Sequence, residues 1–207
     1  MLTHLAAALG VLGLLTVVPG PDMAVVTRHA LVGGTGDALR TVGGIATGLL
    51  LWGALSVGGL AAVLAASPTA YLFVKLLGAG YLVLLGAQAL WQNRRGGVDP
   101  ARTDSGPPAA GSPWRTGLVS NALNPKIAVF YSGLLPTLAP PRMPAAWAMT
   151  LLVLLHVTLT LIWLGGCAVL LPRAGGVLER PGVRRVLGRT TGVVLIGLAA
   201  VVAASAG

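Results

Sequence analysis

Long apolar runs, separated by shorter polar stretches, dominate this chain. A membrane-spanning helix needs about 20 consecutive, mostly apolar residues. The first run carries no basic segment and no A-x-A cleavage site, so we expect it to remain in the protein. The pattern predicts an all-α integral membrane protein with six transmembrane helices, at residues 2–27, 41–66, 69–91, 116–139, 145–171 and 187–205.

Composition supports this interpretation and excludes two other classes of protein. Only 9% of the 207 residues are charged, whereas an average soluble domain has about 25%. The mean hydropathy is +0.85, and the apolar fraction of 55% is too high for a disordered chain. The net charge of +9 would suggest nucleic acid only on a solvated basic surface, so we expect no nucleic-acid partner.

The basic residues are distributed unevenly between the two sides of the predicted bundle. Cytoplasmic loops of membrane proteins carry an excess of Lys and Arg. We therefore predict that loops 28–40, 92–115 and 172–186 are cytoplasmic, with Arg142 and both termini outside. Eleven of the fourteen basic residues lie in or next to these loops: Arg28, Arg40, Arg94, Arg95, Arg102, Arg115, Arg173, Arg180, Arg184, Arg185 and Arg189.

Two of the six predicted helices are interrupted by proline. Helix one contains Pro19, Gly20 and Pro21, and helix four contains Pro125. A proline inside a helix removes a backbone hydrogen bond, and lipid offers no replacement for it. Paired interruptions at corresponding positions of two halves are the best sequence indication of a transporter binding site.

The positions of these breaks also predict the domain organisation. Six helices divide into two groups of three, so homologous halves would have opposite topology in the membrane. We predict one membrane transporter domain over residues 1–207, built as a 3+3 inverted repeat. Repeat one covers about 1–91 and repeat two about 116–207, with the polar loop 92–115 between them.

Two ionisable residues stand beside the breaks. Burying such a group in a span costs about 2.5–3.5 kcal/mol, so it usually faces a cavity or a partner. Asp22 either takes part in transport or only stabilises the start of a half-helix. Lys126 either binds substrate or holds the fold through an ion pair. Their opposite charges and similar depths allow the two side chains to face one another.

Further polar residues of the spans support a site or have a structural explanation. Asn124 precedes Pro125 as an N-cap would, which does not exclude contact with a ligand. Asn121 lies one turn earlier and is placed to line the same cavity. His156, in the fifth segment, either relays protons or is a packed histidine that bonds a neighbouring helix.

Small residues spaced four apart indicate close helix packing. The pairs are Gly44 with Gly48 and Gly188 with Gly192. Such pairs let two backbones approach closely. They predict contacts within the bundle or across the face of a homodimer.

The sequence carries none of the common catalytic signatures. It has no zinc signature, phosphate-binding loop, nucleophile elbow or paired-carboxylate constellation. We therefore expect no enzyme activity, no cofactor and no metal site.

Four motifs resemble those of the LysE/RhtB family of bacterial amino-acid exporters over essentially the whole chain. They are the early Pro-Gly-Pro, the glycine-rich second helix, the Lys-Leu-Leu-Gly of helix three and the Asn-Pro-Lys of helix four, within residues 18–48, 75–90 and 117–136. At the position of Asp22 many members have Asn or another small polar residue.

The resemblance implies proton-driven export of amino acids or related metabolites across the bacterial inner membrane. Asp22 would then attract the substrate ammonium or accept the exchanging proton, and Lys126 would attract the carboxylate. Thr47 is added to the candidate cavity because it lies in the family-like part of helix two. Two alternatives stay open: another small cargo, such as an organic ion or a metal, and a non-transporting membrane scaffold.

Overall fold

A computed structural model describes residues 2–66, 68–94, 111–140, 143–173 and 181–204. Every regular element within these ranges is helical. The all-helical prediction is therefore confirmed for this part of the chain.

Eight α-helices follow one another in the described ranges, and each apolar run of the sequence corresponds to one helix or one broken pair. After the sixth helix the chain widens into a π-helical turn, Phe130–Leu134, and then tightens into a 3₁₀ turn, Leu135–Leu138. The helices are α1 (Leu2–Val17), α2 (Pro21–Val32), α3 (Gly34–Ala66), α4 (Pro68–Arg94), α5 (Pro113–Ala122), α6 (Pro125–Val129), α7 (Ala145–Leu170) and α8 (Pro181–Ala204).

The prediction of a loop over residues 28–40 was wrong. These residues are helical except at a tight turn, where Gly33 ends α2 and Gly34, at φ +74°, begins α3. A positive φ suits glycine because it has no Cβ. Hydropathy indicates where a chain leaves the apolar part of the membrane, not where a helix ends. It therefore does not reveal that the polar residues at the end of α2 and the start of α3 are helical.

The other two predicted basic loops are also shorter than expected at their described ends. Helix α4 continues to Arg94 and α5 begins at Pro113, so the loop 92–115 is helical at both margins. Pro172 and Arg173 form a turn after α7, and α8 begins at Pro181. Residues 95–110 and 174–180 lie outside the described residues.

The first predicted break is confirmed. Helices α1 and α2 are bent by 51° across the residues between Val17 and Pro21. In the described part of the chain, α3 and α7 are each long and apolar enough to cross a membrane, and the bent pair α1–α2 adds a third such segment.

The second predicted break is confirmed as well. Helix α5 ends at Ala122, and Leu123 and Asn124 lead into α6 at Pro125. In the π-helical turn that follows α6, the carbonyl oxygen of Tyr131 accepts a hydrogen bond from Ser56 Oγ at 3.3 Å. A side chain of a neighbouring helix thus supplies a hydrogen-bond donor to irregular backbone, which lipid could not do.

Glycines bring α3 and α5 into close contact. A Cβ on Gly44 would collide with the carbonyl oxygen of Trp114, and one on Gly117 would collide with that of Thr41. Gly86 and Gly192 bring α4 and α8 together in the same way. Gly44 and Gly192 therefore allow close packing between helices of the same bundle, which is one of the two predicted alternatives.

Candidate functional site

The carboxylate of Asp22 joins the two helix breaks. Asp22 stands in the first turn of α2, directly after Pro21. Its Oδ1 accepts a hydrogen bond from Ser120 Oγ at 2.8 Å. Its Oδ2 accepts from Asn121 Nδ2 at 2.8 Å and from Asn124 Nδ2 at 3.2 Å. The start of the second half-helix of one break is thus bound to the end of the first half-helix of the other.

The side-chain amide of Asn124 makes hydrogen bonds to both breaks. Its Oδ1 accepts the backbone N–H of Lys126 at 3.1 Å, which makes Asn124 the N-cap of α6 as predicted. Its Nδ2 donates to Asp22. Pro125 occupies the first turn of α6, where its missing N–H has no helical partner to lose.

Lys126 caps the carbonyl groups on the α1 side of the first break. In a continuous helix the N–H of residue 19 would bond the carbonyl of Leu15, but Pro19 has no N–H. The buried Nζ of Lys126 donates to the carbonyl oxygens of Leu15 at 3.2 Å and Val18 at 3.1 Å. The ammonium therefore replaces backbone donors that the break removes.

The two charges do not pair directly. Among the described residues no ion pair joins Asp22 to Lys126, and each group instead binds uncharged groups of the opposite break. Gly20 permits this arrangement, because a Cβ there would lie 3.3 Å from Lys126 Nζ. The crosswise contacts make the two breaks one unit.

A small cavity lies between the breaks and α7. Its volume is about 30 Å³, whereas a cavity that binds benzene has a volume of about 150 Å³. The bundle must therefore open before the cavity can hold an organic solute of that size. The polar residues that line the cavity come from five helices and are Thr16, Asp22, Asn121, Lys126, His156 and Thr160.

Most of the residues that the sequence singled out meet here. Asp22, Asn121, Lys126 and Gly20 line the cavity, and Asn124 adjoins it through its bond to Asp22. The prolines 19, 21 and 125 stand at the breaks themselves. Thr47 is not brought to the site. Its hydroxyl donates to the carbonyl of Gly43 on its own helix, and it is not among the described lining residues.

Sequence reasoning missed three residues of this site. Ser120 binds Asp22, but it was overlooked beside the more conspicuous Asn121. Thr160 lines the cavity one turn after His156 on α7. Polar residues four apart on one helix share a face, and that spacing in an otherwise apolar helix was the available signal. Thr16 lines the cavity too, with its hydroxyl bonded to the carbonyl of Leu12.

Asn121 is fully buried, and its Oδ1 has no hydrogen-bond partner among the described residues. That oxygen lies against Gly48 of α3, where an added Cβ would stand 2.6 Å from it. Gly48 thus leaves the room that Asn121 needs to reach Asp22.

Replacing Gly48 by alanine should therefore disturb the Asp22 contacts. We expect destabilisation of about 1–3 kcal/mol, as for other overpacked sites, together with a clear loss of function. Gly58→Ala is the matched control, because it lies on the same helix and no described atom would lie within 4 Å of the new Cβ. Thermal unfolding of both variants in detergent measures the difference. Equal midpoints would contradict a tight fit at Gly48.

The profile of one protein family, the LysE type translocators, matches residues 14–206, which include both breaks and the cavity. The chain belongs to this family. It is accordingly an all-helical membrane protein of a translocator family, and the resemblance noted from its motifs is confirmed.

Several relatives match the LysE type chain over most of its length. An uncharacterized membrane protein of Bacillus subtilis (strain 168), YrhP, is 25% identical over 93% of this chain and 95% of its own. The homoserine/homoserine lactone efflux proteins of Salmonella typhimurium and Salmonella typhi are 25% and 26% identical, each over 93% of this chain and 92% of their own. No solved structure matches the chain significantly.

Proposed function

We propose that this protein is a secondary transporter that exports amino acids or closely related small metabolites from the cytoplasm by proton antiport. The observation that carries the proposal is the cavity between the two helix breaks, which has a carboxylate and an ammonium group in its wall. The direction of transport is taken from the relatives named as efflux proteins.

The chemistry of the cavity suits a zwitterion. Asp22 offers a carboxylate to a substrate ammonium, which would replace some of the hydroxyl and amide donors now bound to it. The ammonium of Lys126 has three N–H donors, and two are used by backbone carbonyls. The third is available to a substrate carboxylate. Both charges already have hydrogen-bond partners in the protein. A bound substrate would replace some of these partners, so no new charged group has to be buried.

Alternating access by an inverted repeat is part of this proposal. If the halves over about 1–91 and 116–207 are equivalent, α3 corresponds to α7 and α4 to α8. A two-fold relation brings such equivalent helices together near its axis, and both pairs do pack against each other. Rocking of one half against the other would then open the cavity alternately to each side. The basic segments 28–40, 92–115 and 172–186 would face the cytoplasm of a bacterial inner membrane, with the termini outside.

Transport in proteoliposomes tests the function directly. The purified chain is reconstituted with a panel of radiolabelled amino acids inside, including homoserine, and the outside is acidified. We expect efflux of at least one panel member to accelerate under the pH gradient and to slow when a protonophore collapses it. No flux above that of protein-free liposomes for any member would reject amino-acid export. Flux that ignores the gradient would reject proton antiport alone.

A further inference from the structure

His156 packs against and bonds a neighbouring helical segment, but these contacts use only one of its two ring nitrogens. It lies in the middle of α7 and is almost fully buried. Its Nδ1 is 3.1 Å from the hydroxyl of Tyr131, which fixes the plane of the ring. Its other nitrogen, Nε2, makes no hydrogen bond to any described residue, and the ring forms part of the cavity wall.

Tyr131 is held in place by an irregular backbone. It belongs to the π-helical turn after α6, and its carbonyl oxygen is bound by Ser56 of α3. Phe130 packs edge-on against both the Tyr131 and the His156 rings, at centroid distances of 5.9 and 5.7 Å. Single π-helical turns inside helices occur frequently at functional sites. Here the turn places a phenol hydroxyl on the buried side of a histidine.

Among the described residues, three titratable groups stand around His156, and they come from α2, α6 and the π-helical turn. Asp22 of α2 supplies a carboxylate and Lys126 of α6 an ammonium, while Tyr131 supplies the phenol. Helices α1, α3 and α5 contribute no titratable lining residue among those described. Both carboxylate oxygens of Asp22 already accept hydrogen bonds, whereas one ring nitrogen of His156 has no partner among the described residues.

We propose that His156 carries the proton that is exchanged for substrate, and that Tyr131 positions its ring. This inference rests on the proposed function. When the cavity opens outward and substrate leaves, His156 takes one proton from external water, forming one N–H bond and becoming an imidazolium in the cavity that Asp22 also lines. When the cavity opens inward, the arriving substrate ammonium competes for Asp22. The imidazolium then returns its proton to cytoplasmic water, so one proton enters for each zwitterion exported.

Two transport modes separate this role from a structural one. Counterflow exchanges labelled for unlabelled substrate at equal pH on both sides and requires no net proton movement. Efflux driven by a pH gradient requires it. The probe is radiolabelled homoserine, or the panel amino acid that the wild type exports fastest. Absence of any wild-type transport would refute the proposed function itself, whereas the comparisons below address His156 alone.

For His156→Gln we expect gradient-driven efflux to fall by about 100-fold or more, in the range that loss of a positioned proton-transfer group produces. Counterflow should persist, because it requires no net proton movement. His29→Gln is the matched control. His29 is bonded to Thr41 and to the Val25 carbonyl and does not line the cavity. Equal losses of both transport modes, or neither loss, would overturn the proposal.

Tyr131→Phe provides a second test if His156→Gln does not fold. It removes one hydroxyl and keeps the aromatic packing against Phe130. We expect the pH at which gradient-driven efflux is half-maximal to shift while counterflow continues. An unchanged pH profile would show that the bond between Tyr131 and His156 has no part in coupling.

Discussion

Replacing Asp22 by asparagine is expected to abolish efflux while the protein still folds into the membrane. The carboxylate now accepts three hydrogen bonds, from Ser120, Asn121 and Asn124. An asparagine turns an N–H₂ group towards at least one of these donors and brings no charge to a substrate ammonium. Removing one partner of a buried charge pair costs about 2–5 kcal/mol, which corresponds to a loss of about 30-fold or more in affinity.

Asp37→Asn is the control for this experiment. Asp37 also stands in the first turn of a helix, α3, but its carboxylate pairs with Arg40 at a solvent-accessible position. Exposed pairs of this kind contribute about 0–1 kcal/mol. Efflux of homoserine and of the panel amino acids from proteoliposomes should therefore separate the two variants. If Asp22→Asn and Asp37→Asn transport equally well, Asp22 does not bind the substrate.

The fold was predictable from the sequence to the extent that local rules determine it. Proline lacks an N–H, so the break at Pro19 and Pro21 and the break at Pro125 follow from the residue type alone. The turn at Gly34 does not follow from hydropathy, because the residues around it are polar yet helical. The widening into a π-helical turn at Phe130 was also not visible in the sequence, since it depends on which neighbouring side chains meet the backbone.

The site was predictable in its members but not in its connections. Asp22 and Lys126 were identified because charges inside spans are expensive, and Asn124 because asparagine before proline is a helix N-cap. Their opposite signs left open whether the two side chains pair directly. The structure shows crosswise contacts instead: Asp22 binds side chains of the second break, and Lys126 binds backbone carbonyls of the first. These contacts depend on tertiary packing, which brings α5 against α2.

These crosswise contacts suggest how a closed state gives way to an occupied one. A cavity of about 30 Å³ leaves no room for an amino acid, so binding must separate the two breaks. Asp22 and Lys126, which hold the two breaks together, are also the groups proposed to receive the substrate charges. The closed arrangement and substrate binding would therefore compete for the same donors and acceptors, which couples occupancy to opening.

Replacing Lys126 by methionine is expected to be the most destabilising of these substitutions. Methionine keeps the length of the side chain but removes both hydrogen bonds to the Leu15 and Val18 carbonyls, which are left buried without a donor. A hydrogen bond that involves a charged group contributes about 1.5–3 kcal/mol, so we expect a loss of about 3–5 kcal/mol in the free energy of unfolding. Denaturant titration of the purified chain in detergent measures this loss, and efflux should fall with it.

Arg173→Met is the control for this experiment, because it removes a similar helix cap at an exposed position. Arg173 also donates from a cationic side chain to a carbonyl in the last turn of a helix, that of Val169 in α7, but at an exposed position. Water replaces the lost donor there, and surface substitutions of this kind usually change stability by about 0.5 kcal/mol or less. A Lys126→Met variant as stable as Arg173→Met would mean that the ammonium does not hold the first break. Its role would then be confined to the substrate, and loss of efflux without loss of stability would be the result.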